Sequence, residues 1–536
     1  MANEKKYWKG LAQLNNDPKF AEKHQSEFAE YIPVEEFISD KNAMAGSSTS
    51  RRDFLKFLGF STVAATLAAC EAPVTKTIPY VTRPEEIIPG VANWYATSYY
   101  DGNDYASVLV KTREGRPIKI EGNTLSKISM GGANARVQAS VLSLYDSTRL
   151  NGPKKKNGSG WTDISWADAD AAIGDKLKQS KGIAVLSSSI ISPCTRMAIS
   201  EFLMKYPGSR HVMYDAVSYS GMLKANNSTF GKAFIPTYHF DKADVIVGIG
   251  ADFLANWISP IEHAHQYGMT RKVGPDKKTM SKHFQFESLL TLTGANADER
   301  FPVKPSQLGQ VAVGLLAAVG GSVSAPNVMT KEVARVADAL KNAHGKAVVV
   351  CGSNDASVQL VVNEINKQIG AYGSTIDTTI TDNTHQGDDA AVKKLVDDMG
   401  GAIDTVIFYN TNPVYTAPKA AGFADAMKKL SCRISFASHA DETASLCDYI
   451  LPDHHYLEAW NDHNPRTNSY SIQQPAIRPL FNTRHAQESF LHWSGIKTNY
   501  HSYIQRNWQE HMFGMQNTFG DFTAFWNNTV RDGVIE

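Results

Sequence analysis

Four short runs constrain the fold most: GIAVLSSS (182–189), ADVIVGIGADF (243–253), KAVVVCGSND (346–355) and DTVIFYNTNP (404–413). Each is apolar without interruption and then breaks into Gly, Ser, Asn or Asp. A strand with one wet face alternates apolar and polar residues; these do not, so both of their faces are covered. Segments of helical character lie between them. The pattern predicts an α/β fold of Rossmann-like, parallel-sheet domains, whose carboxyl-end loops are where such sheets carry ligands. VGIGAD by itself is a weak signal for a nucleotide site, because it lacks a full G-x-G-x-x-G and its acidic partner. Ahead of this region, ASVLVKTREGRPIKIEGN (106–123) reads as a hairpin turning at Glu114-Gly115, the centre of a small N-terminal β-region. NGPKKKNGSG (151–160) reads as a flexible linker or exposed loop with solvated lysines. VAVGLLAAV (311–319) stops at Gly320 and Gly321. It is far shorter than the ~20 residues of a membrane span and predicts a core helix.

A second feature lies near the start. SRRDFLKFLGFSTVAATLAAC (50–70) sets Arg51 and Arg52 before a short apolar run, Phe57 to Ala69, rich in Ala, Thr and Gly. That run fits the h-region of a twin-arginine (Tat) export signal. LAAC (67–70) has the form of a lipobox, which predicts lipid attachment on the Cys70 thiol; the alternative, given export, is cleavage nearby without lipid. One lipidated cysteine anchors a protein to a membrane surface without spanning it. The competing reading is a buried amphipathic helix with a chance Arg-Arg. Export with lipidation places the chain on the periplasmic face of the bacterial inner membrane. A polar stretch, Met1–Ser50, precedes the signal, and the proline-rich EAPVTKTIPYVTRPEEIIPG follows it as an extended tether.

Charge excludes several classes of function. With 54 basic and 54 acidic residues, nothing draws the chain to nucleic acid or supplies strong electrostatic steering. Cys194, Cys351, Cys432 and Cys447 are widely spaced and form no C-x-x-C, so this chain predicts neither an iron–sulfur cluster nor structural zinc. Disulfides are open to an exported protein, but these spacings specify none, and most of the four are expected to be buried free thiols.

Several ordered segments carry a family resemblance. GWTDISWADADAAIGDKL (160–177), ADVIVGIGADFLANWISPIEHAHQY (243–267), DTVIFYNTNPVYTAPKAAGFADAMKKL (404–430) and DETASLCDYILPDHHYLEAWND (441–462) resemble motifs of the molybdopterin oxidoreductase superfamily. Together they cover roughly Trp161 to Leu480. The resemblance implies the superfamily's α/β domains over 161–490, after an extension with signal and lipobox (1–70) and a tether with β-region (71–160). Active members carry cluster cysteines before a "dRL" segment; here KISMGGANARVQASVLSLYDSTRL (127–150) has none. A molybdenum ligand would fall near MYDAVSYSGMLKAN (213–226), where Asp215, Ser218 and Ser220 are the candidates. The pterin-closing C-terminal barrel has no room, since fewer than sixty residues follow QQPAIRPLF (473–481). The expectation is a retained fold without the cofactor: no catalytic, cofactor-binding or metal residues in this chain.

KYWKGLAQLNNDP, the internal export signal and LTLTGANADERFPVKPS (290–306) are similar to the B subunits of bacterial alternative complex III, a quinol oxidoreductase. That similarity implies a non-catalytic scaffold in respiratory electron transfer. Its partners would be an iron–sulfur domain or subunit, integral-membrane quinol-binding subunits and haem c subunits. Residues 491–536 would be a helical segment or the link to the iron–sulfur domain. The competing class is an active molybdopterin-dependent oxidoreductase with a serine or aspartate metal ligand.

Two local groups could carry chemistry. DHHYLEAWNDH packs Asp453, His454, His455, Glu458, Asp462 and His463 into one stretch. On a helix His454 and Glu458 would share a face, a metal-like composition; the plainer reading is a polar loop facing the family's cofactor cleft. EHAH, Glu262–His265, is a weaker case of the same kind. Phe253, Trp257, Tyr409 and Tyr415 supply bulk at strand ends and are expected to fill that cleft partly.

Overall fold

The computed structural model describes residues 90–536 except Ser159 and Asp276. Arg51, Arg52, Cys70 and nearly all of the tether lie outside the described residues.

The first sheet is an antiparallel meander of Asn93–Tyr100, Tyr105–Arg113 and Arg116–Gly122. Its second turn is the expected Glu114-Gly115, with φ of 51° and 75°. Two consecutive positive φ values suit a tight hairpin, because their twist matches that of the strands.

The four apolar runs form strands whose every residue is buried, but they divide between two sheets. Val245–Ile249 and Ala347–Cys351 pair in parallel with each other and sit beside Lys282–Glu287 and Glu299–Pro302 in an all-parallel, four-stranded sheet. Ile183–Ser187 and Thr405–Tyr409 pair as inner strands of a seven-stranded sheet. There Arg210–Met213, Cys432–Ser435 and Tyr449–Ile450 continue the parallel set. The helix Leu308–Val319 packs on the four-stranded sheet with Val311, Ala312 and Leu315 fully buried, and ends on Gly320 at φ 116°. A left-handed residue at that position is open to glycine at little cost.

One reading is overturned. Residues 151–160 are not a free linker: Lys154–Asn157 is a strand, pairing antiparallel with Gly160–Asp163 and with Tyr449–Ile450. Two of its three lysines are tied down. Lys154 forms an ion pair with Asp163, and Lys156 donates to the Ser445 carbonyl at 2.9 Å.

An antiparallel five-stranded sheet completes the fold: Val534–Ile535, Ser469–Gln473, Asn461–Arg466, Ile376–Asp382 and Ile235–Tyr238. Among the described residues no sheet closes into a barrel. The helices Tyr500–Asn507 and Phe522–Asp532 bury Tyr500, Tyr503, Trp508 and Phe525 in a cluster that also takes in Cys194 and Ile472. The four described cysteines are buried and unbridged, and burial pushes each thiol up, Cys351 to about 11 and Cys432 to about 12. Among the described residues no helix is long and apolar enough to cross a membrane.

Candidate functional site

The carboxyl ends of the seven-stranded sheet open into a cleft of about 410 Å³. Ser188 and Ser189 reach it from the end of Ile183–Ser187, Tyr409 and Asn410 from Thr405–Tyr409, and Asp453 from the loop after Tyr449–Ile450. The meander contributes Tyr99 and Tyr100, and the five-stranded sheet contributes His463. Parallel strands expose their loops at this edge, so the site sits where the fold class places it.

The polar stretch after Tyr449–Ile450 is a loop with one 3₁₀ turn, Tyr456–Glu458, and not an α-helix. His454 and Glu458 therefore do not share a helical face. His455 N–H donates to Glu458 Oε2 at 2.9 Å while its ring accepts from Leu457 N–H at 3.2 Å, a reciprocal cap. Glu458 turns away into a fully buried pair with Arg149, at 3.2 and 2.6 Å, and also accepts from Leu480 N–H at 2.9 Å. Burial alone would raise its pKa; the Arg149 guanidinium and the two amides outweigh that and hold the carboxyl below its ordinary value. Asp462 accepts from the Ser192 hydroxyl at 2.6 Å and the Trp508 indole at 2.9 Å. His463 bonds Ser98 Oγ at 2.8 Å. Asp453, His454, His455 and His463 face the cleft; Glu458 and Asp462 do not. Among the described residues no three His, Cys, Asp or Glu side chains converge to hold a metal.

The candidate molybdenum ligands also lie elsewhere. None of Asp215, Ser218 and Ser220 lines the cleft. Asp215 is buried and joins three loops by accepting from Ser189 N–H, Ser189 Oγ–H, Gly387 N–H and Gln386 N–H at 2.9, 2.7, 2.9 and 3.2 Å. Ser218 Oγ accepts from Ser220 N–H at 3.1 Å, opening the helix Ser220–Phe230. Glu262 pairs with Arg466 on the buried side of the helix Pro260–Arg271 and is a core ion pair.

Of the four aromatics expected in the cleft, Tyr409 alone faces it. Phe253 stacks on Phe240 at 4.4 Å, and Trp257 donates to the Cys351 carbonyl at 3.2 Å, both inside the other core. Tyr415 is 72% exposed on the surface. The sequence reading missed Arg149, although it stands in the "TRL" segment. It also missed Tyr99, Tyr456 and His485, for which no local signal exists.

A pterin bearing phosphates needs cations or a helix N-terminus free to meet them, and among the described residues the lining offers no unpaired Arg or Lys and no free helix N-terminus. Arg149, the one Arg or Lys among the described lining residues, is spent on Glu458. Burial holds the ring pKa values of His454 and His455 down to about 4 and that of His463 to about 3, so they are neutral near pH 7. The helix Pro193–Lys205 starts at the cleft, but its first amides are taken. Cys194 N–H donates to Asp462 at 3.3 Å and Thr195 N–H to Ser192 Oγ at 2.9 Å. Asp101 and Asp453 add carboxylates where an anion would sit. The residues present do not fit the cofactor.

The molybdopterin oxidoreductase family profile matches residues 149–487. The chain is similar to the "menaquinone reductase, molybdopterin-binding-like subunit" of Nitratidesulfovibrio vulgaris, at 26% identity over 508 residues, 83% of this chain and 72% of the relative. Its fold is similar to that of acetylene hydratase from Pelobacter acetylenicus, with a TM-score of 0.58 and 12% identity over 75% of this chain and 69% of that one. By that profile match, which spans more than half of its length, the chain belongs to the molybdopterin oxidoreductase family.

Proposed function

We propose that this chain is a non-catalytic scaffold subunit of a membrane-bound, quinol-oxidising respiratory complex of the alternative complex III type. The observation that carries the reading is the cleft, whose one lining guanidinium and helix amides are consumed by the protein's own oxygens. A relative named as a subunit of a menaquinone reductase supports both the quinone connection and a multi-subunit setting. In this reading the family fold holds an iron–sulfur domain or subunit beside integral-membrane and haem c subunits. The twin arginines, Arg51 and Arg52, direct export, and lipid on Cys70 tethers the chain to the periplasmic face of the inner membrane. The organisation is an extension (1–70), a tether with β-region (71–160), α/β domains (161–490) and a C-terminal segment (491–536).

The chain itself does no chemistry in this account. It supplies rigid strand ends and satisfied buried polar groups, which hold surface loops in one arrangement for partners. Affinity purification through a tag on this chain tests it. Co-purification of iron–sulfur and membrane subunits with quinol oxidation supports the scaffold; a monomer that purifies alone and inactive refutes it. In the same sample, mass analysis that finds an acylated Cys70 as first residue supports the anchor, and an intact Met1 or Ala2 refutes it.

A further inference from the structure

The cleft still has a defined binding chemistry, and it is the opposite of what a phosphate-bearing group needs. His485 is 7% exposed and donates from Nδ1 to Gln487 Oε1 at 2.5 Å. The Gln487 amide nitrogen donates to Thr195 Oγ1 and to Tyr409 Oη, both at 2.9 Å, and Thr195 Oγ1 spends its own proton on Asn461 Oδ1 at 3.2 Å, so it meets Gln487 as an acceptor and orients that amide. An imidazole protonated on Nδ1 carries a lone pair on Nε2. That Nε2 is buried without a partner among the described residues. Buried acceptors are rarely left in that state, so the atom points to something that donates.

Beside it stands Asp453. Its Oδ1 accepts from His454 N–H at 2.8 Å and from Ala486 N–H at 3.0 Å, the second of these amides adjoining His485 in the chain. Oδ2 accepts no hydrogen bond among the described residues. Among the described residues no Arg or Lys pairs with the Asp453 carboxylate, and burial raises its pKa. Asp101 adds a second carboxylate to the lining, which accepts from Tyr99 Oη–H, Asn103 N–H and Asp104 N–H and among the described residues pairs with no Arg or Lys, while Arg149 is neutralised by Glu458. The walls are aromatic: Tyr99 and Tyr456 meet edge to face at 5.2 Å, and Tyr409 flanks them in the same lining.

We infer that the cleft binds a small organic cation, a primary ammonium on an apolar or aromatic skeleton. An ammonium has three N–H donors and no acceptor, which answers a carboxylate oxygen and an imidazole lone pair at once. Tyrosine faces attract the same charge. An anion would meet two carboxylates and no free cation. A metal ion would lack a converging set of ligands among the described residues. A neutral alcohol satisfies one acceptor and leaves the Asp453 charge uncompensated. The inference concerns a ligand, goes beyond the scaffold reading and survives or fails independently of it.

Three probes sharing one ring separate charge from shape: benzylammonium, benzyl alcohol and benzoate, titrated calorimetrically at pH 7 into the full chain in its native assembly. Saturable binding of benzylammonium is expected, at least about tenfold tighter than benzyl alcohol, with no saturation by benzoate. Asp453→Asn keeps the Oδ1 acceptor for its two amides and is expected to weaken benzylammonium by at least about tenfold. A smaller ratio of ammonium over alcohol, which would mark a water-filled polar cleft, overturns the inference. So do tighter benzoate, no saturation by any probe, or unchanged binding in the variant. If Asp453→Asn does not fold, the readout becomes the imidazole ¹⁵N signal of His485 Nε2 in the unmodified chain. Saturating benzylammonium is expected to shift it, and an unmoved signal is equally fatal.

Discussion

The two parallel sheets share one strand chemistry and end in opposite ways. At the carboxyl edge of the four-stranded sheet the loops close on each other. A Cβ at Gly352 would stand 2.1 Å from the Gly250 carbonyl oxygen, Asp252 accepts from Thr293, and the Trp257 indole caps Cys351. At the same edge of the seven-stranded sheet the ends of Ile183–Ser187 and Thr405–Tyr409 and the loop after Tyr449–Ile450 stand apart around a polar cleft. The lesson is that buried parallel strands decide where a site can be, and the loops decide whether one exists. Close packing secures the first edge; charge pairing and hydrogen bonds secure the second.

Matched substitutions at the two edges can break this comparison. Trp257→Ala is expected to destabilise the protein by about 3–5 kcal/mol through a cavity in the closed edge. Arg149→Met is expected to cost about 3–5 kcal/mol as well, by stranding the buried Glu458 carboxylate. Acid separates the two causes. In the native protein Glu458 is held below its ordinary pKa, so its pairing contributes stability above the unfolded carboxylate value, and that contribution is lost as pH falls through the folded one. Without Arg149, protonation relieves the stranded charge, so the deficit of Arg149→Met should shrink on acidification while that of Trp257→Ala persists. Denaturant midpoints at pH 7 and pH 5 check this, and equal deficits at both pH values for both variants would break it.

A smaller effect sharpens the contrast. Tyr409→Phe removes the oxygen that accepts from Gln487 and should cost about 1–3 kcal/mol, for a buried donor left unpaired. The smallest is at Tyr415. Sequence reading assigned it to the cleft, but it lies on the surface, and Tyr415→Ala should change stability by no more than about 0.5 kcal/mol. A loss at Tyr415 matching that at Trp257 would contradict its placement.

These residues also mark how far the sequence was legible. The strands were, because unbroken apolar runs have one physical explanation, and so was the Glu114-Gly115 turn. The 151–160 hairpin was not: a lysine-rich strand paired on both sides is indistinguishable in composition from a solvated linker. The polar stretch 453–463 was identified as cleft-facing but not as a set of separate contacts. Periodicity suggested a shared face, whereas Glu458 is drawn to Arg149, Asp462 to Trp508 and His463 to Ser98, partners remote in the chain. His485 was invisible for the same reason, since its role depends on Gln487 holding Nδ1 and on the fold burying Nε2.

The account turns on the cleft having spent its cation and its helix amides on the protein itself. Elemental analysis of the purified native assembly, with oxidative release of pterin fluorophores from the same sample, tests this most directly. The prediction is no stoichiometric molybdenum or tungsten and no pterin fluorescence, in material that oxidises quinol. One molybdenum or tungsten per chain together with a pterin fluorophore would contradict it and make this chain an active oxidoreductase.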